Sequence, residues 1–292
     1  GELTTKAAEE LGLKPGTVVS YRAGDQPNNA FSLNVLNPGE VAATAGTSGV
    51  VYGVGDKPEY DQKSRVNTFL HVNYTVEDPH YGILLCLNGT GILNRWMKKN
   101  LMNDEVDYDE MNRLAAQISA GADGLRIFPY GNGAERTLEN KEVSASIQGL
   151  NFNLHQRGHL LRAAQEGIVF ALNYGLGIMK KMGTEVNLVR AGQTNMFLSP
   201  LFGEVFATVT GARVELYNTD GSQGAARGAG IGAGIYRDHT EAFSGLETQK
   251  TIEPNSKLVT TYQELYQQWA AVLEEQLSKI KEESIDDKNV FP

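Results

Sequence analysis

The hydrophobic and polar positions fall into short runs punctuated by glycine, and the period of those runs changes along the chain. Thr5 is placed to cap a short helix, Lys6 to Leu11, which Gly12 and Pro15 end. An apolar, strand-like run, Val18 to Ala23, stops at Gly24-Asp25-Gln26. A second run, Val41 to Ala45, breaks into Gly46-Thr47-Ser48-Gly49, and a third, Val50 to Val54, starts at once, which predicts a hairpin. Val66 to Tyr74 and Tyr81 to Leu87 read as further strands. Asn88-Gly89-Thr90-Gly91 then opens a helix from Ile92 to Leu101, and Tyr108 to Ile118 has an amphipathic helical period.

In the second half, Gly124 to Tyr130 reads as a buried strand stopped by Pro129, with a turn at Asn132-Gly133. A long helix is predicted from about His159 to Met182, because Leu160, Ala164, Ile168, Leu172, Leu176 and Met179 recur at helical spacing. Val186 to Ala191 is a strand, Ser199-Pro200 starts a helix from Leu201 to Thr210, and Arg213 to Tyr217 is a strand. Gly221 to Gly234 is rich in glycine and alanine. No strand leads directly into a GxGxxG turn there, so a tightly packed helix of small residues is expected rather than a dinucleotide fingerprint. Glu253 to Ser256 reads as a hinge. Thr260 to Lys281 is a final amphipathic helix, with Tyr262, Leu265, Trp269, Leu273, Leu277 and Ile280 on one face and a charged, frayed end at Glu282 to Pro292. Strands and a hairpin followed by alternating helices and strands predict an α/β chain with a mixed sheet flanked by helices.

Composition narrows the function classes. The 292 residues are 41% hydrophobic and 21% charged, the balance of a soluble globular protein. A net charge of −9 argues against nucleic acid as a partner, so a bound polyphosphate must be neutralised mostly by backbone amides and a metal. Cys86 is the only cysteine, which excludes a disulfide framework. No apolar run approaches about 18 residues, so no membrane span is expected, and the cytoplasm is the expected compartment. His155 and His159 have metal-ligand spacing on a helix, but without a third ligand nearby they read as surface or capping histidines.

The candidate chemistry lies between Asp25 and the Gly46–Gly49 turn. Two glycines let backbone approach a ligand closely, successive N–H groups in such a turn form a concave anion site, and the Thr47 and Ser48 hydroxyls add donors. That suits phosphate oxygens, and phosphoryl transfer needs in addition a residue that takes a proton from the nucleophile. Asp25 is the candidate. Taken separately, the turn is an ordinary hairpin and the acid a helix cap or Asx-turn.

Several blocks, in one order, carry a resemblance to the FGGY family of carbohydrate kinases, closest to its xylulokinase branch. Gly24-Asp25-Gln26 resembles the family's catalytic-aspartate motif, and Gly46-Thr47-Ser48-Gly49 its second phosphate loop. Gly91 with Trp96 resembles its G-x-x-x-x-W nucleotide segment, and GLRIFPYGNGAERT (124–137) resembles a G-L-x-x-x-P-Y-x-x-G-E-R-T block with one extra residue before Glu135. Ser146 to Glu166 is similar to the C-terminal signature, except that Gln165 stands where an apolar residue is usual. Two further departures are Ala191 in place of a glycine before Gly192, and Ser222-Gln223 where the late glycine-rich helix usually carries an acid.

The resemblance implies an actin/hexokinase/Hsp70-like (ribonuclease H-like) ATPase domain, with a core at about residues 15–238 and a C-terminal helix at 260–281. It implies transfer of the γ-phosphoryl group of ATP, with Mg²⁺, to a sugar hydroxyl, most closely that of xylulose. Glycerol- or gluconate-type specificity and a catalytically silent ATP-binding module stand as alternatives. Asp25 would be the general base and Gln26 a sugar contact. Gly46, Thr47, Ser48 and Gly49 would face the phosphates, and Gly91, Arg95, Gly192, Gln193 and Asn195 would line the nucleotide. The metal ligands are left unassigned and a homodimer is left open. Family members have two domains, each on the order of 250 residues, and the match covers only the second, ATP-side domain. The partner N-terminal domain, with most sugar contacts, is therefore expected to be missing from this chain, and the chain alone to be nearly inactive.

Overall fold

The computed structural model describes residues 1–102 and 106–289, with side chains through residue 280. The chain opens on α1 (Thr5–Leu11), capped by the Thr4 hydroxyl accepting the Ala7 N–H, one residue before the predicted cap, and closed by Gly12 in the left-handed region. Helix α2 (Asp25–Ser32) follows. The hairpin is β1 (Val41–Ala45) and β2 (Gly49–Gly55), and it is followed by β3 (Asn67–Leu70) and β4 (Tyr81–Leu87). Then come α3 (Gly91–Leu101), α4 (Tyr108–Ala116), the short strands β5 (Arg126–Phe128) and β6 (Ser146–Gln148), and the long α5 (Arg157–Lys181). The chain continues through β7 (Leu188–Gly192), α6 (Pro200–Thr210), β8 (Arg213–Tyr217), α7 (Gly221–Gly232), α8 (His239–Ala242), β9 (Thr248–Ile252) and α9 (Val259–Asn289).

The main sheet has the order β3-β4-β2-β1-β7-β8-β9. Strands β1, β7 and β8 run parallel, and the others are antiparallel to their neighbours. The pleat divides side chains between two layers. Val41, Ala43, Ala45 and Val51 face a large core built with α3, α4, α5, α6 and α9, whereas Ala42, Tyr52 and Val54 face a smaller one beneath α2. Helix α5 is buried along most of its length and acts as the platform of the first layer. Helix α9 docks onto it through buried polar contacts: Arg162 Nη2 donates to the Tyr262 hydroxyl at 2.7 Å, and that hydroxyl donates to Glu166 Oε1 at 3.0 Å. Trp269 donates to the Ile127 carbonyl at 3.0 Å and stacks on Phe128.

Several sequence expectations need correction. Val18 to Ala23 is extended but outside the sheet, apart from one bridge between Val18 and Glu2. Val18 and Val19 are half exposed, and the segment lies along α7 rather than beside a strand: the Ser20 hydroxyl donates to the Ala229 carbonyl. Asp25 therefore starts a helix that the sequence did not announce, because Pro27 and two asparagines are poor helix formers that a first turn nevertheless tolerates. Helix α8 and strand β9 were also missed. β9 has polar residues at four of its five positions, and only its edge pairing with β8 makes it a strand. The expected strands at 66–74 and 124–130 shrink to β3 and β5, and β5 pairs with β6 in a separate ribbon. Helix α9 continues past Lys281, and residues 290–292 of the expected frayed end lie outside the described residues. No described helix is long and apolar enough to cross a membrane.

The glycine-rich segment is the close-packing helix its composition suggests. Gly221, Gly224, Gly228 and Gly232 line one face of α7, where an added Cβ would come within 2.6 Å of Asn29, 2.7 Å of Ser32, 2.6 Å of Tyr21 and 2.6 Å of Ser20 respectively. The bare face lets α2 and the segment before it sit against backbone, and Asn28 Nδ2 locks the crossing by donating to the Gly221 carbonyl at 2.7 Å. Gly224→Val should lower stability by roughly 1–3 kcal/mol through overpacking, whereas Gly177→Ala in α5, where a Cβ meets nothing within 4 Å, should raise it by roughly 0.5–1 kcal/mol. Urea unfolding of the two variants checks both signs.

Candidate functional site

The hairpin loop is Gly46-Thr47-Ser48, closed by the Ala45–Gly49 pair. Its position is set from behind by α3. The Gly91 N–H donates to the Gly46 carbonyl at 2.9 Å and the Ile92 N–H to the Thr47 carbonyl at 3.2 Å. With its carbonyls held on that side, the loop keeps its own donors for the other. Neither the N–H nor the hydroxyl of Thr47 or Ser48 donates to another described group. Gly91 must be glycine here, since a Cβ would stand 2.3 Å from the Gly46 oxygen. Gly49 plays a packing part, because its missing Cβ leaves room for Thr90 Oγ1 at 2.5 Å.

Two cavities meet at this loop. One, of about 390 Å³, is lined by Gly46, Thr47 and Ser48, by Gln26 and Asn29 of α2, and by Gly192, Thr194, Asn195, Thr219 and Asp220 from the loops after β7 and β8. The second, of about 410 Å³, shares Gly46, Thr47 and Asn195 and extends past Gly91 and Arg95 of α3 to Tyr108 and Asn112 of α4 and to Leu198 and Ser199. Each falls in the size range of a small-molecule site. Both open at the C-terminal ends of the parallel strands β1, β7 and β8, the edge where open α/β sheets bind ligands.

Asp25 is exposed at the first turn of α2, beside the first cavity rather than in its lining. Its carboxylate accepts the Gln26 N–H at 2.9 Å and Gln26 Nε2 at 3.2 Å, so Gln26 joins the acid to the cavity wall. Burial pushes the Cys86 thiol on β4 up, and the nearby Glu135 and Asp25 carboxylates push it further while Arg136 opposes them.

Among the other predicted residues, Gly192 lines the first cavity, Gly91 and Arg95 the second, and Asn195 both. Gln193 lines neither: it is exposed, and its N–H continues the sheet edge by donating to the Tyr217 carbonyl at 2.8 Å. Ala191, which departs from the family pattern, is fully buried in β7 opposite Ala43. Its methyl group belongs to the core and leaves the cavity untouched.

Sequence reading missed Thr219, Asp220, Tyr108 and Asn112. Asp220 had a signal: an acid directly before a glycine-rich helix is an N-cap, and its carboxylate does accept the Gln223 N–H. No local pattern marks Tyr108 or Asn112. Gln165, singled out as a departure, is buried beneath the second cavity, donates to Asn112 Oδ1 at 3.0 Å and accepts the Ser199 hydroxyl at 2.9 Å. It ties two polar lining residues to α5. His159 closes a capping box with Gln156 at the start of α5, whereas His155 holds the preceding turn, its Nδ1 accepting the Asn151 N–H.

No group of three or more described His, Cys, Asp or Glu side chains is arranged to hold a metal. Asp220 supplies the carboxylate in the described lining of the first cavity.

The sequence profile of the FGGY family of carbohydrate kinases, C-terminal domain, matches residues 41–235. The chain belongs to this family. The FGGY domain is 32% identical over 174 residues to the gluconokinase of Bacillus subtilis (strain 168), covering 56% of this chain and 33% of that protein. It is 29% identical over 279 residues to a xylulose kinase of Staphylococcus epidermidis, covering 93% of this chain and 54% of that one. It superposes on the crystal structure of xylulose kinase from Rhodospirillum rubrum with a TM-score of 0.80 at 26% identity, over 94% of this chain and 55% of that one. The FGGY domain therefore has the actin/hexokinase-like ATPase fold of these kinases, and the chain spans about half the length of the xylulose kinases it matches.

Gln165→Leu keeps the volume of the buried side chain but strands Asn112 and Ser199. Stability should fall by about 1–3 kcal/mol, and denaturant unfolding checks it.

Proposed function

We propose that the chain is the nucleotide-binding half of an ATP-dependent carbohydrate kinase, with Asp25 as general base and a pentulose, most closely D-xylulose giving D-xylulose 5-phosphate, as acceptor. One observation carries this reading: the loop with unused N–H and hydroxyl donors is shared by two cavities. A polyphosphate laid across Gly46–Ser48 has the wall of Arg95, Tyr108 and Leu198 at one end and Gln26 with Asp25 at the other. The first end supplies an aromatic ring, an apolar side chain and a guanidinium for a nucleoside. The second supplies a proton acceptor where the terminal phosphate would meet a hydroxyl.

In this reading Thr47 and Ser48 donate to the β- and γ-phosphates, stabilising charge that grows as the bond to the leaving oxygen breaks. Gly46 allows the loop its close approach, Gly49 packs beneath it against Thr90, and Gly192 and Asn195 border the phosphates opposite. Gly91 acts through the loop carbonyls. Asp25 accepts the proton of the sugar hydroxyl, and Gln26 orients both the acid and the sugar. Mg²⁺, arriving with the nucleotide, would neutralise phosphate charge beside Asp220. A second reading, gluconate as acceptor, is favoured by the gluconokinase relative, in which the matched segment covers 33% of the protein.

Phosphoryl transfer demands that donor and acceptor be held within a fraction of an ångström, and Asp25 stands exposed on its side of the cleft. The chain by itself should therefore bind ATP·Mg²⁺ in calorimetry yet show almost no ADP release with D-xylulose, L-xylulose, gluconate or glycerol. Brisk turnover by the 292-residue chain would overturn this half-site reading. In the complete kinase, Asp25→Asn should cut turnover by roughly 10²–10⁴-fold while ATP affinity stays within about twofold. Preserved turnover with lost ATP binding would reverse the assigned roles.

A further inference from the structure

Glu135 lies outside both cavities and carries no part of the chemistry above, yet it is 2% exposed. Its carboxylate Oε2 accepts the backbone N–H of Asn88 at 3.1 Å, and the Asn88 side chain donates to the neighbouring Ala134 carbonyl at 3.2 Å. The turn that follows Asn88 has no freedom to drift. Gly89 lies so tightly against the Pro129 carbonyl that a Cβ there would overlap it, and the Thr90 hydroxyl donates to the Leu87 carbonyl. The next two N–H groups, of Gly91 and Ile92, are the ones that hold the loop carbonyls of Gly46 and Thr47.

We propose that Glu135 is a positioning residue for the phosphate loop: it clamps the Asn88–Thr90 turn, and through Gly91 and Ile92 it fixes the direction in which the Gly46–Ser48 donors point. The inference rests on the nucleotide reading given above for those donors. The groups around Glu135 are the Cys86 thiol on β4, the Tyr130 hydroxyl, which is buried without a hydrogen-bond partner, and the Arg136 guanidinium of its own turn, which donates instead to Asn67 and Ser64. No described cation pairs with the carboxyl group, so its proton is governed mainly by burial, which raises it from the usual carboxylate range to about 7, against the pull of the Asn88 and Arg136 N–H groups.

The clamp is consequently adjustable near neutral pH. An ionised carboxylate accepts an N–H about twice as strongly as a neutral acid does, so the turn is held more firmly above pH 7 than below it. Stability runs the other way. A carboxyl raised in the folded state contributes stability that is complete below its unfolded value of about 4.3 and is lost as pH rises through about 7.

The test compares the chain with Glu135→Gln, which copies the neutral acid, and Glu135→Leu, which removes the acceptor. ATP·Mg²⁺ affinity is measured by calorimetry at pH 5.5 and pH 8.5, and the ratio of wild type to variant cancels the nucleotide's own titration. We expect E135Q to match wild type at pH 5.5 and to bind about fivefold more weakly at pH 8.5. E135L should bind more weakly at both values, and backbone amides of residues 88–92 and 46–48 should exchange faster in it by mass spectrometry. Thermal melts should show wild type losing stability relative to E135Q between pH 4.5 and pH 7. Should E135L fail to fold, the E135Q ratio decides alone. A ratio near one at both pH values, with ATP bound by wild type, overturns the positioning role. Failure of wild type to bind ATP at either pH sinks the nucleotide reading itself.

Discussion

Two hydrogen bonds between α3 and the β1–β2 loop determine the rest of the cleft. A loop of three small residues has little to hold it in place. Here its carbonyls at Gly46 and Thr47 are taken up by the Gly91 and Ile92 N–H groups, so its donors are left facing the cavities. The partial positive charge at the start of α3 is therefore applied through the loop. The amides at the start of α3 thus have a supporting task, since they donate to the loop carbonyls. Such support works only at contact distance, which is why Gly91 has no side chain and Gly89 sits against Pro129.

The acid side of the cleft depends on a second close approach. Helix α7 presents bare backbone through Gly221 and Gly224, and α2 rests on it with Asn28 bonded across the crossing. The α2 wall of the first cavity is thereby seated at close range on α7, through the short side chains of Asn28, Asn29 and Ser32. Short side chains packed against bare backbone have little room to shift, so the placement of α2 beside the loop after β8 is built into the packing. An in-line phosphoryl transfer requires that fixity.

Behind both walls stands α5. Its apolar stripe fills the main core, and its polar members are each occupied: Gln165 with Asn112 and Ser199, Arg162 and Glu166 with Tyr262. Burying these groups is tolerable because each finds a partner. In return the far wall of the second cavity and the docking of α9 are referred to one rigid element.

Much of this was legible in the chain. Apolar runs on both sides of Gly46–Gly49 and the stripe from Leu160 to Met179 sufficed for the hairpin and the long helix, because local pattern reports what an element buries, and the order of the motif blocks sufficed for the kinase family. The glycines of 221–232 likewise announced a tight helix, though not that α2 would be its neighbour. Tertiary structure alone decided that 18–23 lies along a helix, that the polar segment 248–252 becomes an edge strand, that Gln193 lines neither cavity, and that Glu135 is buried against the Asn88 turn behind the β1–β2 loop. Those outcomes depend on pairing between residues far apart in sequence, where edge hydrogen bonds and backbone contacts outweigh the intrinsic preference of the segment, and a one-dimensional pattern carries no record of such partners.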